Sequence, residues 1–279
     1  MTAAVRLGAN QYGKAEVRIV KVTRTTPVHE IEDLNVTSQL RGDFSATHLT
    51  GDNALVVATD TQKNTIYGLA REHGIGSPEE FLLVLGRHFT GSFDWVTGGR
   101  WAAEAYSWER IAAHDHAFVR SGQETRTAVL DWADGPVLTS GLTDLVVLKS
   151  TGSEFHGFPR DRFTTLKEAS DRILATAVTA QWTYSTLELD FNALYGTIRA
   201  ALLQTFADTH SLALQQTLYA MGATVLETHD AVSEISISMP NKHHFLVDLE
   251  PFGLDNPNEI FFPADRPYGL IEATVERAV

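Results

Sequence analysis

An amide, an ammonium and an imidazole stand together in Ser238-Met239-Pro240-Asn241-Lys242-His243-His244-Phe245. Ile235, Ile237 and Met239 alternate ahead of them, and Phe245, Val247 and Leu249 alternate behind. That is the period of β-strands, so the polar group falls at a strand junction. Asn241 and His243 there have the chemistry to hold a small molecule or move a proton, although surface turns collect the same residue types. Ala58-Thr59-Asp60-Thr61-Gln62-Lys63-Asn64-Thr65 follows the apolar run Leu55-Val56-Val57 and reads as a strand running into a helix. Either Thr59 or Asp60 caps that helix, or the Thr59 hydroxyl and the Asp60 backbone N–H face an anionic ligand at its N-terminus. Lys14, in Tyr12-Gly13-Lys14 ahead of the first predicted strand, reads as a solvated flank. Phe155-His156-Gly157-Phe158-Pro159-Arg160-Asp161 sets two aromatics around a glycine in a polar loop, where they either anchor the loop or present a ring. Arg172 and Gln215 fall on predicted helices, where solvated surface is the default.

Other chemistries lack their signatures. Gly74-Ile75-Gly76 is without the third glycine and the βαβ setting of a dinucleotide fingerprint. There is no Walker loop, nucleophile elbow or HExxH helix. His114-Asp115-His116, if on a strand, turns both imidazoles to one face, and a metal would still need further ligands from elsewhere. The absence of cysteine excludes disulfides, thiolate nucleophiles and Cys-ligated metals.

Against 22 basic residues stand 35 acidic ones, a formal charge of -13. Such a surface repels phosphate backbones and anionic lipid, so neither nucleic acid nor membrane is an expected partner. An anionic small substrate would need a pocket with positive charge of its own. No window reaches the length of a membrane span, and the N-terminal residues show no secretory signal, so a cytoplasmic location is expected.

The elements that must position these groups come in blocks. Val17 to Val22 and Ile31 to Leu40 read as strands joined around Thr26-Pro27, with a phase shift between Ile31 and Leu34 that suggests a bulge. Ser77-Pro78-Glu79-Glu80 combines an N-cap serine, proline at the first helical position and a capping glutamate. Phe81, Leu82, Leu85 and Phe89 follow on one helical face. Strands are expected over Trp95 to Trp108, Ala117 to Val119, Thr127 to Trp132 and Leu142 to Leu148. Thr165-Leu166-Lys167-Glu168 reads as a second capping box, opening a helix with Leu166, Ala169 and Ile173 inward. A strand around Trp182 to Leu189 leads to two helical stripes, from Phe191 to Phe206 and from Leu214 to Val225. Strands around Ile235 to Leu249 and Ile260 to Ala273 complete the chain. Two successive blocks of strands, helices and strands predict an α+β fold repeated in tandem, with domains over residues 1–123 and 124–279 and a soft boundary near Ser121 to Thr125.

Taken together and in order, these segments resemble the urate oxidase (uricase) family. The matching stretches are Tyr12-Gly13-Lys14, Ala58 to Thr65, Leu148 to Phe155, Gly157 to Asp161, Thr164 to Glu168, Asp171-Arg172-Ile173-Leu174, Gln215 with Thr217, and Pro240-Asn241-Lys242-His243. Each is weak alone; the ordered set spans about Asn10 to Ala273. The resemblance implies two tunnelling-fold (T-fold) domains, antiparallel sheets backed by helices, in a homotetramer that encloses a barrel-like tunnel with active sites at subunit interfaces. It implies oxidation of urate by O2 and water to 5-hydroxyisourate and hydrogen peroxide, with no metal and no organic cofactor. Lys14, Thr59 and His243 match the family's proton-relay residues. Arg172 and Gln215 match the pair that grips urate, and Phe155 the aromatic that stacks on it. Asp60 and Leu214 would contribute backbone groups, Leu166 would wall the pocket, and Asn241 would hold oxygen or water together with Thr59. Since a threonine hydroxyl is a weak base, a neutral Lys14 amine would have to activate it, a state that burial in an assembled interface favours. Two rival readings stay open: a pterin-type tunnelling-fold enzyme using His114 and His116 with a metal, and a purine-binding relative without turnover.

Overall fold

The computed structural model describes residues 4–264 and 266–278. Two compact units emerge: one runs to Gly141 and includes Leu187–Asn192, and the other comprises Leu142–Thr186 and the chain from Ala193 onward. Each is an antiparallel sheet backed by helices.

In the first unit, β1 (Tyr12–Thr23) and β2 (Glu30–Gly42) form an antiparallel hairpin. A short α1 (Ser45–Thr50) precedes α2 (Thr59–His73) and α3 (Pro78–Ser92). The chain then returns through β3 (Val96–Ala105), the small hairpin β4 (Trp108–Arg110) and β5 (Phe118–Arg120), and β6 (Thr125–Trp132). β2, β3 and β6 pair antiparallel in that order. The predicted capping box opens α3: Glu80 N donates to Ser77 Oγ at 3.1 Å and Ser77 N to Glu80 Oε2 at 2.9 Å. Phe81, Leu82, Leu85 and Phe89 are buried where α3 packs on β3 and β6, and Phe89 stacks on Trp101 with ring planes 13° apart. Burying each such side chain contributes roughly 1.5–3 kcal/mol.

β7 (Pro136–Lys149) carries the chain into the second unit, where β8 (Leu174–Tyr184) is followed by α4 (Phe191–Asp208) and α5 (Leu214–Thr228). β9 (Val232–Asn241), β10 (His244–Leu246), β11 (Phe261–Pro263) and β12 (Gly269–Glu276) follow. β9 pairs antiparallel with both β8 and β12, while β10 pairs with β11. Leu218, Met221 and Val225 of α5 are buried, as are Ile235, Ile237 and Met239 of β9, against which that helix packs. No helix among the described residues is long and apolar enough to cross a membrane.

Several local expectations are corrected. The second capping box opens no helix: residues 157–168 are irregular, Leu166 is exposed and Arg172 sits on irregular chain just ahead of β8. The loop's own contacts outweigh the capping signal, since Asp161 takes the Thr164 hydroxyl at 3.0 Å and Gly157 N donates to Glu168 at 3.1 Å. Leu55-Val56-Val57 is not a strand, and Val57 is buried as the loop turns into α2. The bulge lies in β1 between Lys14 and Val17, with Glu16 at φ 59°, while β2 pairs without interruption through Ile31 to Leu34. The strand expected from Phe245 to Leu249 shortens to His244–Leu246, and the one expected to reach Leu189 stops at Tyr184.

Candidate functional site

Lys14 stands inside β1 instead of ahead of it, opposite Ser38 of β2. The neighbouring Gly13 is required by close approach, because a Cβ there would sit 1.7 Å from the Ser38 carbonyl oxygen. The adjoining bulge interrupts the strand alternation immediately after Lys14, a device that re-aims side chains. Thr59 and Asp60 open α2, and both are exposed. Neither caps it. Ala58 holds the cap position without a side-chain hydrogen bond, and the Asp60 carboxylate instead takes Lys63 and, at 3.0 Å, Asn64 Nδ2. The first-turn N–H groups, which a helix cannot satisfy internally, therefore receive no side-chain cap. Lys63 chiefly, with a smaller contribution from the charge of Lys14, holds Asp60 below the usual carboxylate range.

A buried polar chain joins these two places. Ser38, the cross-strand partner of Lys14, donates its hydroxyl to Gln62 Oε1 at 3.1 Å. Gln62 Nε2 donates to the Val57 carbonyl at 3.3 Å, and the Tyr12 hydroxyl reaches that same oxygen at 3.1 Å. Ser38 and Gln62 are wholly buried. A glutamine in a polar helical turn carries no sequence signal of burial, and its part was not foreseen.

In the second unit, the segment 152–155 is the strut of the site. Phe155 exchanges two backbone hydrogen bonds with Ala169, at 2.8 and 3.0 Å, which places it three residues from Arg172. On the other side, Glu154 N donates to Ser211 O at 2.7 Å and Ser211 N to Gly152 O at 2.9 Å, at the approach to Leu214 and Gln215. Carboxylates reinforce both flanks. Asp171 accepts from Thr151 Oγ1 at 2.7 Å and Gly152 N at 2.9 Å, while Glu154 takes His210 at 2.5 Å and His156 at 2.9 Å. Thr151's hydroxyl chiefly holds Asp171 low, and His210 then His156 hold Glu154 low. Sequence reading missed these roles of Glu154 and His210; the carboxylate–imidazole pairing spans 56 positions and leaves no local pattern.

The Arg172 guanidinium carbon lies 5.2 Å from the Phe155 ring centroid, and Phe155 stacks on Phe158 at 5.1 Å with planes 13° apart. Arg172 Nε is buried without a hydrogen-bond partner. Desolvation by burial lowers the Arg172 pKa, yet arginine keeps its charge in proteins. His243 follows β9; burial first, and the Arg172 charge second, push its pKa below the ordinary imidazole value. Asn241 ends β9, nearly buried, between Thr176 of β8 and Gly269 of β12. Leu214 is buried at the start of α5, and Gln215 beside it is exposed. The structure thus gathers Phe155, Arg172 and His243, ties the Gln215 helix to them through the strut, and leaves Leu166 on the exposed loop. Lys14, Thr59 and Asp60 belong to β1 and α2 of the first unit.

His114 and His116 lie in the turn between β4 and β5, not on a strand, with rings edge to face at 4.6 Å. Among the described residues no group of three or more His, Asp or Glu side chains is arranged as a metal-ligand set.

The fold and site define an α+β protein of two repeated halves, with a cluster of arginine and aromatic side chains on the second. A family model described as Uricase matches residues 10–131 and 138–272. A uricase of Arthrobacter globiformis is 66% identical over 274 residues, covering 98% of this chain and 90% of the relative. One of Dictyostelium discoideum is 39% identical, with 96% of each chain covered. The crystal structure of the Arthrobacter globiformis uricase superposes with a TM-score of 0.96 over 99% of this chain and 96% of its own. The chain belongs to the uricase family.

Proposed function

We propose that this protein oxidises urate with O2 and water to 5-hydroxyisourate and hydrogen peroxide, using neither a metal nor an organic cofactor. One observation carries the reading beyond family membership: Arg172 holds a buried, unpartnered Nε–H beside the stacked Phe155 ring. An unpartnered buried donor costs roughly 1–3 kcal/mol, a cost that a flat anion able to accept its hydrogen bond would remove. Phe155 would stack on the purine, Arg172 and Gln215 would grip its polar edge, and backbone groups of Asp60 and Leu214 would complete the grip, with Leu166 as a wall.

Urate gives up two electrons, O2 takes them to become peroxide, and water supplies the new hydroxyl, so the protein moves protons only. Lys14, Thr59 and His243 form the proposed relay, while Asn241 and Thr59 hold oxygen and then water over the ring. In the proposed homotetramer, Lys14, Thr59 and Asp60 of one copy face the Arg172 group of another. Exposed Phe163, Leu166, Phe252 and Phe262 supply apolar surface that an assembly would cover.

Titrating urate into the protein without oxygen, then admitting oxygen and counting peroxide, tests the reading. Saturable binding followed by one peroxide per urate is expected. Binding with no peroxide would leave only a purine-binding protein, and no binding would remove the proposal altogether.

A further inference from the structure

The buried chain that joins β1, β2 and the start of α2 ends two residues from each proposed relay residue of the first unit. Tyr12 precedes Lys14 by two positions and Val57 precedes Thr59 by two, and the Tyr12 hydroxyl is bonded to the Val57 carbonyl at 3.1 Å. Gln62 Nε2 donates to that same carbonyl at 3.3 Å, so both lone pairs of one oxygen are used. The other end of the Gln62 amide accepts the hydroxyl of Ser38, which is paired across the sheet with Lys14. Gln62 also belongs to the first turn of α2, where its N–H donates to Ala58 O at 3.0 Å.

We infer that Gln62, with Ser38 and Tyr12, is a positioning residue for the reaction, fixing the spacing between Lys14 on β1 and Thr59 on α2. The inference rests on the function proposed above. Backbone pairing sets Lys14 against β2, but no backbone bond of the β1–β2 ladder extends to α2. No side chain caps that helix either, so its N-terminus lacks the usual local anchor. Gln62 supplies the link from inside. It is wholly buried and its amide is satisfied at both ends, and a buried polar network with every member paired fixes one geometry. Tyr12 is further held edge to face against Phe44 at 4.7 Å, and burial pushes its hydroxyl pKa up, so it stays a donor to Val57.

A proton relay needs this spacing because transfer works only within hydrogen-bond reach, and a displacement of about 1 Å costs on the order of 10²-fold in rate. Gln62→Met keeps the shape and removes both hydrogen bonds. Its expected result is a kcat lower by roughly 10- to 100-fold, with the KM for urate changed by less than about threefold, since the proposed grip on urate lies mostly on Arg172, Phe155 and Gln215. Ser38→Ala, which breaks one link, should lower kcat less. Amide hydrogen exchange should quicken in Val57 to Gln62 for both variants and stay unchanged in β8 and β9.

Wild-type kcat in Gln62→Met would overturn the inference, as would equal losses in kcat and urate binding. Should Gln62→Met fail to fold, Ser38→Ala decides by the same split. Should the wild-type protein not oxidise urate, the proposed function falls on its own, and unchanged exchange at Val57 to Gln62 would then refute the positioning role independently.

Discussion

The guanidinium of Arg172 stands over the Phe155 ring, 5.2 Å from its centroid, and the two residues are carried by segments that exchange backbone hydrogen bonds. A cation at a ring face gains roughly 0.5–2 kcal/mol, but here it also keeps a buried N–H without an acceptor. The pair is arranged as a half-complete contact: a flat ligand on Phe155 with an acceptor at its edge would satisfy the arginine.

Arg172→Lys should therefore chiefly weaken urate binding. A lysine keeps the charge but loses the planar fork, and a hydrogen bond to a charged group is worth about 1.5–3 kcal/mol. Roughly 10- to 100-fold weaker binding is expected by calorimetry without oxygen. An unchanged affinity would place Arg172 away from the ligand.

The charge of Arg172 also acts on His243, whose pKa lies below its ordinary value through burial first and this charge second. Acid must therefore penalise the folded protein through His243, because the unfolded chain takes the proton at higher pH. Removing the charge with Arg172→Gln should raise the His243 pKa partway and leave the burial effect in place. Histidine NMR titrations of the two ligand-free proteins would show the shift, and identical curves would mean that the two side chains do not interact.

Thr59→Ala should lower turnover by roughly 10²–10⁴, the range of a positioned proton-transfer group, with assembly and helix content unchanged. Thr59 is exposed and takes no part in capping α2, so stability has little to lose. Normal turnover in this variant would remove Thr59 from the relay.

Asp171 and Glu154 both sit below the usual carboxylate range. Their contribution to the strut is full above the unfolded carboxylate value of about 4 and is lost as pH falls through their lower folded values. Amide exchange at Gly152 and Ser153, corrected for intrinsic rates, should quicken in acid, and Asp171→Asn should loosen Gly152 already at neutral pH. Protection of Gly152 that is indifferent to both would show that the carboxylate does not hold the strut.

The sequence carried α3 in full, from its capping box to its buried face, because every signal there is local. The two-block order of strands and helices was equally legible. The loop of 157–173 was not, since Thr165 and Glu168 carry the letters of a capping box while tertiary bonds to Phe155 and Gly152 hold the chain extended. Lys14 reads as lying ahead of its strand because Gly13 and the bulge at Glu16 break the alternation that marks strands. The site residues themselves came from the ordered resemblance, not from spacing, and the buried link through Gln62 came from neither, being visible only once Ser38 and Val57 are seen on either side of it.

Urate loss, followed by its ultraviolet absorption with chelator-treated protein in air and under nitrogen, is the decisive test of cofactor-free oxidation by this protein. Rapid loss in air with peroxide released in equal amount, and no loss under nitrogen, is the expected result. Persistence of urate in air, with the protein folded and assembled, would contradict it, and so would turnover that returns only when a metal is restored.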